Sequence, residues 1–214
     1  MRTHTIETQT HLTPEKALEI LRDGNRRFVG NLRANRNLLQ QVNETSAGQF
    51  PFAVILSCID SRTSAELVFD QGLGDIFSVR IAGNVVNEDI LGSMEFACKV
   101  AGSKLIVVLG HTRCGAIKGA CDNVQMGHLT GLLAKIGPAV RAVDRDTTAP
   151  DNRVELVAVE NARRQMASIL ERSPILEHLF AAGAIGFACG VYVVETGEVT
   201  FLEQRFGAEG ARPA

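Results

Sequence analysis

The hydrophobic pattern of the chain is set by short apolar runs with helical stretches between them. Phe52-Ala53-Val54-Ile55-Leu56 and Leu105-Ile106-Val107-Val108-Leu109 are unbroken and rich in β-branched residues, the pattern of buried strands. Ile76–Ile81 reads as a further strand, ending at Ala82-Gly83-Asn84. Between and after these runs, the spacing predicts a short helix around Ser64–Phe69 and another near Ile90–Val100, closed by Gly102. A helix opens at or near Cys114 and a helical pattern spans roughly 129–143. Thr147–Asp151 is a break, and Val154, Val157, Ala158, Asn161, Gln165 and Ile169 mark a long helix ending before Ser173-Pro174. Ile185–Val194 and Val199–Leu202, separated by Glu195–Glu198, form a hairpin pattern.

At the amino end, Thr13-Pro14-Glu15 is a helix start with Thr as N-cap and Pro in the first turn. Ala17, Leu18, Leu21 and Phe28 supply its apolar stripe, and a long polar link, 31–49, separates it from the first strand. That separation suggests an arm packing away from its own sheet; a helix covering its own sheet is the alternative. The element order β-α-β-α-β-α-α-β-β predicts an α/β fold. Its central sheet is mainly parallel, four parallel strands plus an antiparallel C-terminal strand, flanked by helices with an N-terminal helical arm. One domain over 1–214 is expected: arm and linker 1–50, α/β core 51–206, loose tail 207–214.

Composition narrows the function classes. With 214 residues, 45% hydrophobic and a formal charge of −2, the chain can bury an ordinary core and has no basic excess suggesting nucleic acid or an anionic membrane. No apolar run nears the roughly 20 residues that span a bilayer, and Met1–Thr13 lacks the apolar centre of a secretory signal. A cytoplasmic protein is the expectation. Five cysteines, an odd number, suit a reducing compartment with some thiols on a metal.

The chemistry gathers past two strand ends, where open α/β sheets bind their ligands. The first apolar run leads into Ser57-Cys58-Ile59-Asp60-Ser61-Arg62, the other into Gly110-His111-Thr112-Arg113-Cys114-Gly115. Cys58, His111 and Cys114 are then three ligands brought to one place, one short of a closed tetrahedral zinc site. An open fourth position is what a catalytic zinc keeps. Cys114 at a helix N-terminus favours thiolate. Asp60 and Arg62 share a turn and form an ion pair; Ser61 shapes the turn, having no base beside it. Gly83 permits close backbone approach, while Arg80 either pairs near a subunit contact or points to solvent. Cys98, Cys121 and Cys189 read as small buried hydrophobes, and His4, His11, His128 and His178 as histidines without a ligand role.

Cys-x-Asp-Ser-Arg at 58–62 and His-x-x-Cys-Gly at 111–115 together resemble the β-class carbonic anhydrases. Arg80–Asn84, Gly92–Ala97, Glu160-Asn161, Ser173-Pro174 and Thr196-Gly197 agree in order, so the resemblance runs from about Thr13 to Leu202. It implies one Zn2+ per chain and reversible hydration of carbon dioxide to bicarbonate and a proton by attack of zinc-bound hydroxide. Asp60 would accept the hydrogen bond that orients the nucleophile, and Arg62 would hold Asp60 ionised. The plant-type branch adds a substrate pocket of Gln49, Phe77, Ala82, Gly83 and Phe96, with Ala82 and Phe96 where that branch often has valine and tyrosine. The other branch's non-catalytic bicarbonate pocket needs a tryptophan where Ile55 stands, and the chain has no tryptophan. The resemblance also implies a homodimer or dimer of dimers, with the active site near the shared interface. Alternatives are the same zinc site hydrolysing carbon disulfide or carbonyl sulfide, and a non-catalytic zinc- or bicarbonate-binding domain.

Overall fold

The computed structural model describes residues 3–146 and 151–207. Thr147–Pro150, within the expected break, and 208–214 of the expected tail lie outside the described residues. A five-stranded sheet runs through the molecule in the order β2-β1-β3-β4-β5, where β1 is Ala53–Ser57, β2 Ile76–Arg80, β3 Leu105–His111, β4 Gly186–Tyr192 and β5 Val199–Phe206. The first four are parallel and β5 is antiparallel to β4, as the element order required.

Register decides what the strands deliver. Ser57 stands opposite Arg80 on one side and Leu109 on the other. β3 continues past that level because Gly110 and His111 pair with Val191 and Tyr192 of β4. His111 is therefore the last strand residue, not a member of the following turn, and the ladder fixes its backbone.

Helices cover both faces. On one, α5 (Glu88–Glu95), a π turn over Phe96–Val100, α9 (Arg153–Arg172) and α10 (Pro174–Ala181) pack on Val54, Leu56, Ile106 and Val108. On the other, α2 (Pro14–Val29) and the short α4 (Ala65–Val68) pack on Ala53, Ile55, Leu105 and Val107. The Thr13 hydroxyl caps α2 by accepting the Lys16 N–H at 3.3 Å, as the Thr-Pro start predicts. Ala17, Leu18 and Leu21 of its stripe are buried against the sheet of their own chain. The reading of this helix as an arm packing away from its sheet is thus corrected: both strand and helix faces are apolar, and the polar link is long enough to fold the helix back.

Four helices escaped the pattern. The short α1 (Ile6–Thr10) and α3 (Leu38–Glu44) fall in segments read as polar, α3 because its Leu38, Leu39 and Val42 are exposed and follow no core stripe. The pattern over 129–143 is two helices, α7 (Gly127–Ala134) and α8 (Gly137–Asp146), divided before Gly137-Pro138. Ser173-Pro174 ends α9 and also begins α10: the Ser173 hydroxyl accepts the Leu176 N–H at 3.2 Å, and Pro174 fills the first turn. The remaining helix, α6 (Gly115–Cys121), starts where Cys114 suggested. Among the described residues no helix is long and apolar enough to cross a membrane.

Candidate metal centre

The carboxyl ends of β1 and β3 bring Cys58, His111 and Cys114 together: their ligand atoms all lie within 4.8 Å of one another, and all three residues are buried. Among the described residues no other such cluster occurs. Cys58 follows the last residue of β1, His111 ends β3, and Cys114 is the N-cap of α6. The two cysteines belong to a third apolar cluster, with Val85, Ile117, Ile136 and Val157.

The donor set fits zinc. The two sulfurs are 4.0 Å apart, close to the ~3.8 Å that two thiolates at about 2.3 Å from a tetrahedral zinc would span. His111 Nδ1 lies 2.9 Å from the Thr112 carbonyl oxygen, which can only accept, so Nδ1 carries the proton. Nε2 then holds a lone pair, is buried, and has no hydrogen-bond partner. A buried acceptor left without a partner is costly; a metal ion at that point resolves it. The thiols are primed as well. Cys58 is lowered, first by the hydrogen bond from the Cys114 thiol and further by the Gly83 and Asp60 N–H groups, against the cost of burial. Cys114, facing that thiolate, is pushed up. Two thiolates this close repel each other, and a divalent cation between them is what allows both to ionise.

Beside the cluster, Asp60 and Arg62 form the expected pair. Asp60 Oδ1 accepts the Arg62 backbone N–H and Nε–H, both at 2.9 Å, and Oδ2 accepts from Nη2 at 2.8 Å. The Arg62 guanidinium holds the Asp60 carboxyl well below the usual carboxylate range, with burial opposing. This loop is held from two sides. Arg80 donates from Nε to the Cys58 carbonyl at 3.0 Å and from Nη2 to that of Asp60 at 2.5 Å; the Thr63 hydroxyl lies 3.1 Å and 2.9 Å from the same two carbonyls. Arg80 does not simply leave the strand for solvent: it braces the ligand loop.

Gly83 meets its expectation. It sits at φ 67°, in a short 3₁₀ turn over Ala82–Asn84, and donates its N–H to Cys58 Sγ at 3.4 Å. A Cβ here would stand 2.7 Å from Ile136 Cδ1, so both conformation and space require glycine. Ala82 opens the same turn. From α9, Asn161 Nδ2 donates to the Gly83 carbonyl at 2.9 Å, Gln165 Nε2 to Asn161 Oδ1 at 3.1 Å, and Gln165 Oε1 accepts the Val86 N–H at 2.8 Å. Sequence reasoning placed these two amides on a buried helix face but assigned them no role. Two amides four residues apart in an apolar stripe were the available signal, since each must find partners when buried.

Gln49, Phe77 and Phe96 are not brought to the cluster within one chain. Gln49 is exposed ahead of β1. Phe77 lies opposite Val54, four residues before Cys58, or roughly 13 Å back along the strand. Phe96 packs edge-on against it, ring centroids 6.2 Å apart, and is 53% exposed. The two rings form an apolar pair beside β2, an edge strand of the sheet.

A carbonic anhydrase family profile matches residues 53–199. The chain is 36% identical over 196 residues to carbonic anhydrase 2 of Mycobacterium tuberculosis, covering 89% of this chain and 93% of that one. It is 35% identical over 193 residues to a carbonic anhydrase of Mycolicibacterium smegmatis, covering 87% and 92%. The crystal structure of the β-carbonic anhydrase CafA from the fungal pathogen Aspergillus fumigatus superposes with a TM-score of 0.69 at 25% identity, over 77% of this chain and 81% of that chain. The two cysteines and one histidine at the strand ends, the parallel sheet that carries them and this sequence similarity agree: the chain belongs to the carbonic anhydrases, in their β class.

Proposed function

We propose that the chain catalyses the reversible hydration of carbon dioxide to bicarbonate with one zinc held by Cys58, His111 and Cys114. The observation that carries this reading is the buried three-ligand cluster with a free His111 Nε2 and the Asp60–Arg62 pair beside it. Bound there with a fourth position open, zinc supplies the Lewis acidity that makes water a nucleophile near neutral pH. Asp60, kept ionised by Arg62, can only accept a hydrogen bond; it takes the O–H of the reacting water and so aims the oxygen lone pair at the substrate carbon. Arg62 spends its Nε–H and one Nη2–H on Asp60, which fixes the carboxylate plane. The Gly83 N–H shares charge with the Cys58 sulfur.

Purified protein should carry one zinc per chain and hydrate carbon dioxide in stopped-flow assays at pH 8 to 9; zinc-loaded protein without hydration would overturn the proposal. The plant-type assignment rests on Gln49 and on Ile55 in place of the other branch's tryptophan; Arg80 matches that branch's arginine, but without the indole donor it makes a poor anion pocket, and two carbonyls already engage it. Bicarbonate should therefore inhibit without cooperativity; a sigmoidal dependence would place the chain in the other branch.

We further infer a homodimer, or a dimer of dimers, joined at the β2 edge, with Gln49, Phe77 and Phe96 of one chain completing the carbon dioxide slot of the other. Phe77 lies too far along β2 to reach the cluster of its own chain, and Phe96, 53% exposed, packs on it beside an edge strand. An apolar slot suits a substrate with no dipole, and the Gln49 amide would donate to a bicarbonate oxygen. Sedimentation equilibrium should give a dimer or tetramer, and a fully active monomer would rule the shared pocket out.

A further inference from the structure

His111 and Cys114 are separated by two residues, and both are tied to one side chain of the C-terminal hairpin. Glu195, in the turn between β4 and β5, accepts the Thr112 hydroxyl on Oε2 at 3.1 Å and pairs through Oε1 with Arg113 Nε. Thr112 is held at two more points by the same hairpin: its N–H donates to the Tyr192 carbonyl at 3.0 Å, and its hydroxyl accepts the Val194 N–H at 3.1 Å. The hydroxyl's one proton goes to Glu195, so its lone pair is free for Val194, and both bonds are made at once. The Thr112 carbonyl in turn receives the His111 Nδ1 proton and thereby selects the tautomer that leaves Nε2 free. Arg113 meanwhile has φ 54°, a left-handed conformation that a non-glycine residue holds only when its surroundings impose it.

We infer that Glu195 is a positioning residue for the metal site, acting through Thr112 and Arg113 on the two-residue spacer between His111 and Cys114. Its side-chain partners are Thr112 and Arg113, not the ligand atoms. Thr112 sets the ring orientation of His111, and the Arg113 turn sets where Cys114 leaves the strand for α6. Holding both from one carboxylate fixes the angle between an imidazole and a thiolate, because past the His111–Tyr192 pair the sheet holds the spacer backbone only through the Thr112 N–H. As a stability device the contact would be weak: the Arg113 and Glu195 side chains are 68% and 41% exposed, and such pairs contribute little. Its consequence lies in ligand geometry, where loss of an outer partner typically costs 10–100-fold in metal affinity.

The inference rests on the zinc reading proposed above, and the experiment separates the two. Zinc affinity of the full-length chain is measured by competition with a chromophoric chelator, alongside the absorption spectrum of the cobalt(II)-substituted protein. Glu195→Ala and Thr112→Val should each weaken zinc binding by about tenfold or more and shift the cobalt bands. Thr112→Ser, which keeps the hydroxyl, should restore both. Glu198→Ala removes the same charge from the same hairpin without touching the spacer and should bind zinc as wild type does. The double variant Thr112→Val/Glu195→Ala should lose less than the product of the single losses, since both break one contact. Wild type that holds no zinc overturns both readings. Wild type that holds zinc, with Glu195→Ala at wild-type affinity and an unshifted cobalt spectrum, overturns the clamp alone, as does equal weakening by Glu195→Ala and Glu198→Ala.

Discussion

Cys58→Ser, His111→Ala and Cys114→Ser should each lose bound zinc and carbon dioxide hydration together. Each removes one of three ligands, so the affinity loss should exceed the roughly 10–100-fold that an outer-shell partner is worth. Serine is nearly isosteric with cysteine but offers no thiolate, so Cys58→Ser and Cys114→Ser test the donor atom and not the packing. The contrast is with the other thiols. Burial pushes Cys98 up to about 12 and Cys189 up to about 11, which keeps both protonated at working pH, and Cys121 is raised by burial as well. None of the three belongs to the buried Cys58–His111–Cys114 cluster, so none can share its ion. Cys98→Ser, Cys121→Ser and Cys189→Ser should keep one zinc per chain by atomic absorption. Zinc lost from any of these three in a folded protein, or retained at wild-type affinity by Cys58→Ser, would refute the ligand assignment.

What made this cluster legible in sequence was strand-end placement. An unbroken apolar run such as Leu105–Leu109 fixes a buried strand, and whatever chemistry follows it must emerge at the sheet's carboxyl end. Two such runs side by side bring their following residues together, so Cys58, His111 and Cys114 met without any knowledge of the loops. The local signals that worked were likewise short-range: Thr13-Pro14 as a helix start, Gly102 closing the helical segment at φ 81°, and Gly83 at a close approach.

Long-range pairings were less legible. Arg80 leaves β2 to brace the Cys58–Asp60 backbone, but from its sequence neighbours an edge-strand arginine looks the same whether it meets carbonyls or water. The Asn161–Gln165 amides reach Gly83 and Val86 from α9, a partnership set by helix docking and not by any local motif. Nor does an apolar stripe name the surface it covers. Ala17, Leu18 and Leu21 would form the same stripe on a neighbour's surface as on their own sheet, and only the packed structure decides between them. Glu195 was read as a turn residue because hairpin periodicity carries no information about the Thr112 hydroxyl, 83 positions earlier in the chain.

Asp60→Asn should leave zinc content at one per chain and lower kcat/KM for hydration by about 100-fold, the upper end for a group acting beside the metal. Asparagine keeps the size and one acceptor oxygen, but its amide donates where the carboxylate only accepts. It can present N–H groups to the reacting water and turn the oxygen lone pair away from the substrate. Arg62 would also lose its charged partner, which now takes three hydrogen bonds from it. The pH dependence distinguishes this role from general-base catalysis. Arg62 holds the Asp60 carboxyl below its usual range, so in wild type it is ionised across the whole working range above about pH 5. The factor lost in Asp60→Asn should therefore be constant from pH 6 to pH 9, and any inflection there should persist in the variant. The linkage to stability has the matching sign. A carboxyl whose folded value is depressed stabilises the fold above its unfolded value of about 4 and loses that contribution as pH falls toward the folded value. The variant should thus be less heat-stable than wild type at pH 7 and converge with it in acid. A loss of activity that shrinks on lowering the pH from 9 to 6, or a variant with full activity, would remove Asp60 from this role.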